Sequence, residues 1–159
     1  MKRIFTIIVV VVLALAGSGL MLAQGTADPL VGTWKLDPSS SKFSPGPAPK
    51  SQTLKYETQG DELKIIADTV NADGTTQHLV YTAKFDGKEY PITGDPDRDS
   101  TTMKRIDAYT TEVAGKKAGK PTVTFRRVVS KDGKTLTIRE TGTDGKGQKV
   151  NNVASYVKE

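Results

Sequence analysis

Four Asp-Gly pairs, at 73–74, 86–87, 132–133 and 144–145, punctuate runs in which apolar and polar residues alternate. Few other patterns constrain a chain so tightly. Both residues tolerate the positive φ of a tight hairpin turn, so Asp-Gly between alternating runs predicts two antiparallel strands joined by that turn. The alternation is clear in Leu54-Lys55-Tyr56-Glu57, in Val123-Thr124-Phe125 and in Leu136-Thr137-Ile138. Between Gln77 and Phe85 it places Leu79, Tyr81, Ala83 and Phe85 on one face. A period of two with β-branched and aromatic enrichment is the mark of half-buried antiparallel strands. Strands are expected near 32–37, 51–58, 62–69, 75–85, 101–107, 109–115, 121–129, 134–142 and 148–157, with a short edge piece at Tyr90-Pro91-Ile92.

A meander of that size leaves two unpaired edges unless it curls round on itself. The expected fold class is therefore all-β: an antiparallel up-and-down meander closed into a barrel of eight to ten strands. Such a barrel is wide enough for packed side chains or one small ligand. One stretch departs from the pattern. Pro38 to Pro49 holds four Pro and four Ser, and it reads as a loop between the first two strands at the barrel mouth.

The N-terminal segment is of another kind. Lys2 and Arg3 precede an apolar run from Ile4 to Ala16, and small residues follow up to Ala27. This is the layout of a secretory signal peptide, a signal helix over residues 1–27, with the barrel domain at 28–159. An uncleaved membrane anchor is the alternative, since no charge occurs from Ile4 to Ala27. Both place the domain outside the cytoplasm, secreted or periplasmic. The chain has no Cys and one His, which excludes disulfides, thiolate metal sites, cysteine nucleophiles and multi-histidine centres. No cofactor, metal site or catalytic residue set is expected.

The formal charge of +5 is unevenly spread. Asp28 to Ser100 holds 8 basic and 12 acidic residues, and Thr101 onward 13 basic and 6 acidic. A basic half suits an anionic envelope surface, although outward strand faces carry such charges in any case. No aromatic-interleaved motif points to nucleic acid. A monomer is expected.

Leu30-Val31-Gly32-Thr33-Trp34-Lys35-Leu36 resembles the opening of the calycin superfamily, the lipocalins and fatty-acid-binding proteins, in its Gly-x-Trp. The whole span 28–159 resembles the small exported bacterial lipocalin-like proteins, through Ser130–Thr137 and Gly147–Val153. The resemblance implies a lipocalin-like barrel in which Gly32 allows close backbone packing and Trp34 plugs the closed end. It also implies an Arg from a late strand packed against that Trp, with Arg126, Arg127 and Arg139 as candidates. Two departures are visible. The Pro/Ser loop is too short for the helical lid of the fatty-acid-binding proteins. Their carboxylate-holding Arg-x-Tyr is here Ala154-Ser155-Tyr156.

With Trp34 inward, the apolar faces converge on an interior that is either a filled core or a pocket. The pocket reading makes Tyr56, Tyr81, Phe85, Tyr109, Phe125, Arg127, Asn152 and Tyr156 the candidate ligand-binding residues, suited to a small hydrophobic or amphipathic molecule. The expected function is non-catalytic binding of such a molecule. The alternative is an inhibitor-like envelope or protein-interaction module, using the Pro/Ser loop or the basic half, with Lys116, Lys117 and Lys120 at its centre. Asp95-Pro96-Asp97-Arg98-Asp99 resembles the start of a calcium loop but lacks its Gly and distal Glu. It reads as a solvated turn. His78 is out of phase with Leu79 and Tyr81 and is expected to face outward.

Overall fold

The computed structural model describes residues 27–159, so the signal-peptide reading of residues 1–27 lies almost wholly outside the described residues. Ten antiparallel strands form one sheet. They are β1 (Gly32–Lys42), β2 (Ser51–Gln59), β3 (Glu62–Val70), β4 (Thr76–Ala83), β5 (Asp86–Pro91), β6 (Ser100–Arg105), β7 (Thr110–Lys117), β8 (Lys120–Val129), β9 (Thr135–Thr143) and β10 (Lys149–Lys158).

The first strand pairs with the last, Leu36 opposite Tyr156, so the meander does curl round. The seam lies between β4 and β5, the two ends of the sheet order, and an isolated bridge from Val80 on β4 to Thr93, just past β5, crosses it. The register of β5 against β6 slips between Asp86 and Glu89. A bulge of this kind bends its strand. The barrel is nearly closed, with one slit.

Asp73, Asp86, Asp132 and Asp144 each accept, through Oδ1, the backbone N–H two residues on, and three of them do so in the turn between two strands. The fourth pair corrects the expectation: Asp86-Gly87 lies inside β5, and the reversal falls at Lys84-Phe85. The Pro/Ser stretch is corrected as well. Strand β1 runs on to Lys42, and only residues 43–50 are loop. The extension is possible because the β1–β10 register shifts between Asp37 and Lys42. Ser39 and Ser40 hydroxyls donate to the Asp37 carboxylate, and the Ser41 hydroxyl accepts from the Ser155 N–H. Serine side chains thus replace the missing ladder.

The core follows period two. Leu54 and Tyr56, Leu63 and Ile65, Leu79 and Tyr81, Leu136 and Ile138 are all buried. Burying each such side chain contributes about 1.5–3 kcal/mol. One end of the barrel is sealed. Trp34 is fully buried, and its Nε1–H donates to the Leu30 carbonyl at 2.9 Å. Gly32, at φ 134°, brings the backbone in where a side chain would strike the Lys158 chain. Asp28 pairs with Arg105, whose guanidinium lies 4.1 Å from the centre of the Phe85 ring.

Candidate functional site

The opposite end is hollow. A cavity of about 510 Å³ opens to solvent there, within the range typical of small-molecule sites. Cross-strand register explains its walls. Tyr56, Ile65 and Tyr81 form one inward row across β2, β3 and β4, with Leu54, Ala67 and Leu79 as the next. On the other side, Phe125, Glu140 and Asn152 make one row, and Arg127, Ile138 and Ala154 another. All twelve line the cavity, with Tyr156 beside them.

Six of the eight candidate ligand residues therefore share one cavity: Tyr56, Tyr81, Phe125, Arg127, Asn152 and Tyr156. Phe85 and Tyr109 are corrections, for they do not line it. Their phase is inward, but the strands end before they do. β4 stops at Ala83, leaving Phe85 under Arg105 at the sealed end. β7 begins at Thr110, leaving Tyr109 on the turn before it, 37% exposed.

Arg127 does not pack against Trp34 either. The cation over the indole is Lys158, 4.9 Å from the ring centre. Arg126 pairs outside with Glu112, and Arg139 is exposed. Arg127 is buried in the lumen, 5.3 Å from the centre of the Tyr56 ring, and its Nη2 donates to the Tyr81 hydroxyl at 3.1 Å.

The segment Asp95–Asp99 is no solvated turn. It folds over the mouth and drives Arg98 into the barrel, where the residue is 5% exposed. Arg98 Nε and Nη2 both donate to Asp95 Oδ2, at 2.8 and 2.6 Å. Its guanidinium stacks 4.6 Å from the Phe125 ring centre and 5.9 Å from that of Tyr81. The loop is latched on two sides: the Gly145 N–H donates to Asp97 Oδ1 and the Ala118 N–H to Asp99 Oδ2. On β7, Gly115 supplies the room. A Cβ there would lie 2.2 Å from Arg98 Cδ. Sequence reasoning missed Arg98, and the one signal for it was an isolated Gly within a strand, which marks close approach by another group.

The Pro/Ser loop forms another part of the rim through Phe43, Pro47 and Pro49. Asn152 ties it down, accepting from the Ser44 N–H and donating to Glu140 Oε2, each at 2.8 Å. Burial pushes the Glu140 carboxyl above its ordinary value, against the Asn152 hydrogen bond and the charge of Arg98. Tyr56 and Tyr156 are pushed up by burial. Burial acts on Tyr81 in the same sense, but Arg127 and Arg98 outweigh it and bring the phenol below its ordinary value.

Outside the barrel, His78 is exposed and its Nδ1 lies 2.5 Å from Asp68 Oδ1. Lys116 pairs with Glu89, and Lys117 donates to the Asp95 carbonyl.

No protein-family model matches the chain, and no curated protein matches it in sequence. Among solved structures, it is similar to the zebrafish ileal bile acid-binding protein complexed with cholic acid. The identity is 13%, the TM-score 0.49, and the match covers 82% of this chain and 99% of that one.

Proposed function

We propose that this protein is an exported, non-catalytic carrier that takes one small hydrophobic or amphipathic molecule into its barrel. The cavity carries this reading: a lumen of about 510 Å³, open at one end, walled by Leu54, Ile65, Leu79 and Ile138 with the rings of Tyr56, Tyr81, Phe125 and Tyr156. Apolar walls with a few convergent polar groups are what a small-molecule site requires. The barrel is sealed behind Trp34, so a ligand enters and leaves by the mouth between the Pro/Ser loop and the Asp95–Asp99 segment. The interaction-module reading is less favoured, because two of its three central lysines serve the protein's own contacts.

Native mass spectrometry of protein isolated from its own compartment without denaturant tests the carrier reading. A one-to-one adduct with a small molecule, displaced by N-phenyl-1-naphthylamine, is the expected result. A protein that carries nothing and takes up no such dye would remove the reading.

A further inference from the structure

Charged groups of both signs line the lumen, Arg98 and Arg127 with Asp73, Asp95, Asp97 and Glu140, and they pair unevenly. Two guanidiniums converge on one phenol, Arg127 on the Tyr81 hydroxyl and Arg98 on the Tyr81 ring. An arginine side chain stays charged in a protein, and a buried charge is normally paired. Arg98 has Asp95. Arg127 has no carboxylate partner among the described residues; its contacts are the Tyr81 hydroxyl, the Met103 sulfur at 3.8 Å and the Tyr56 ring. One N–H on each guanidinium, Arg98 Nη1 and Arg127 Nε, is buried with no hydrogen-bond partner among the described residues. Both side chains are at least nine-tenths buried, and both line the cavity.

We infer that the ligand carries an oxyanion head group, seated between Arg98 and Arg127 beside the Tyr81 hydroxyl, with its apolar body directed along Leu54, Ile65 and Leu79. This rests on the carrier reading and names the class of molecule carried. The head group supplies the missing counter-charge of Arg127 from the lumen side. Charge-assisted hydrogen bonds from guanidinium to oxyanion are the strong ones, and in a desolvated lumen they are stronger still. Arg98 comes from a loop, held in place by Gly115 and by the Asp97–Gly145 latch, while the last strand offers only Ala154 at the position two before Tyr156. The mouth loop is thus part of the specificity site, and a ligand lacking the anion leaves Arg127 without a counter-charge.

Two dyes with the same aromatic body make the test: 1-anilinonaphthalene-8-sulfonate, which carries the anion, and N-phenyl-1-naphthylamine, which does not. Each is titrated into the full-length protein. The sulfonate is expected to bind at least tenfold more tightly. Arg127→Met and Arg98→Gln are each expected to bring the affinities for the two dyes to within about twofold of each other, with Trp34 fluorescence reporting that the barrel is intact. Equal binding of the two dyes by the parent overturns the anion site and leaves the carrier reading standing. Failure of both dyes to bind overturns both. If a variant does not fold, the comparison of the two dyes on the parent still decides.

Discussion

Arg127 and Tyr81 meet inside the barrel from opposite walls, one on β8 and one on β4, joined by a 3.1 Å hydrogen bond from guanidinium to phenol. The contact spans the lumen between strands that are far apart in the sheet order. Its electrostatic consequence is measurable. Tyr81 is expected to ionise below the ordinary phenol value of 10.0, before the other buried phenols Tyr56 and Tyr156, which burial holds above it. Following tyrosinate absorbance with pH in the parent and in Tyr81→Phe checks this: the early step is expected to vanish in the variant. In Arg127→Met that step should move to higher pH, because the largest opposing charge is gone.

Gly115 and Arg98 are coupled by space. A methyl at position 115 would lie 2.2 Å from Arg98 Cδ and 2.6 Å from its Cγ, too close for either to remain. Gly115→Ala is expected to cost about 1–3 kcal/mol, the usual range for overpacking. In the double variant with Arg98→Ala most of that cost should disappear. Urea denaturation of the four proteins measures the coupling, and additive losses would place the collision elsewhere.

Trp34 seals the far end. Its truncation to Ala is expected to cost about 3–5 kcal/mol, the range for a large buried aromatic. Trp34→Phe should cost less, since the ring volume is largely kept while the hydrogen bond to Leu30 is lost. Chemical denaturation again supplies the measurement. The parent's native emission, from its single Trp, should be blue-shifted and move red on unfolding, as a buried indole requires.

Glu140 makes stability depend on pH. Its folded pKa lies above the ordinary 4.5, so between those two values the folded protein holds a proton that the unfolded chain has released. Stability from this group is complete below about 4.5 and declines as pH rises through the folded value. Glu140→Gln keeps an acceptor for the Asn152 amide and removes the titration. The variant is expected to be more stable than the parent at neutral pH and equal to it in acid. A gap of the same size at both pH values would mean that the gain has another cause.

The barrel was largely legible because its turns and faces are local signals. Period two placed Tyr56, Tyr81, Phe125 and Tyr156 inward, and side-chain direction along a strand follows from that parity alone. What parity does not give is where a strand stops. The turn Asp107-Ala108-Tyr109 carries no Gly or Pro, and its one local mark is Asp107, whose Oδ1 accepts the Tyr109 N–H. Phe85 failed for the same reason, since the reversal at Lys84-Phe85 precedes the Asp-Gly pair that advertised it. Arg98 was hidden for a deeper reason. A charged residue among three aspartates reads as solvent-facing, and its burial depends on Gly115, Phe125 and Tyr81, which come together only in three dimensions.

A small apolar body is expected to occupy the lumen above the Trp34 seal. Methyl-resolved NMR of the full-length protein, titrated with N-phenyl-1-naphthylamine, locates it. Saturable shifts are predicted at Leu54, Ile65, Leu79 and Ile138, with little change at Leu63 and Val113, which are buried outside the cavity lining. Shifts confined to exposed residues such as Val128 and Val157, or none at all, would contradict it.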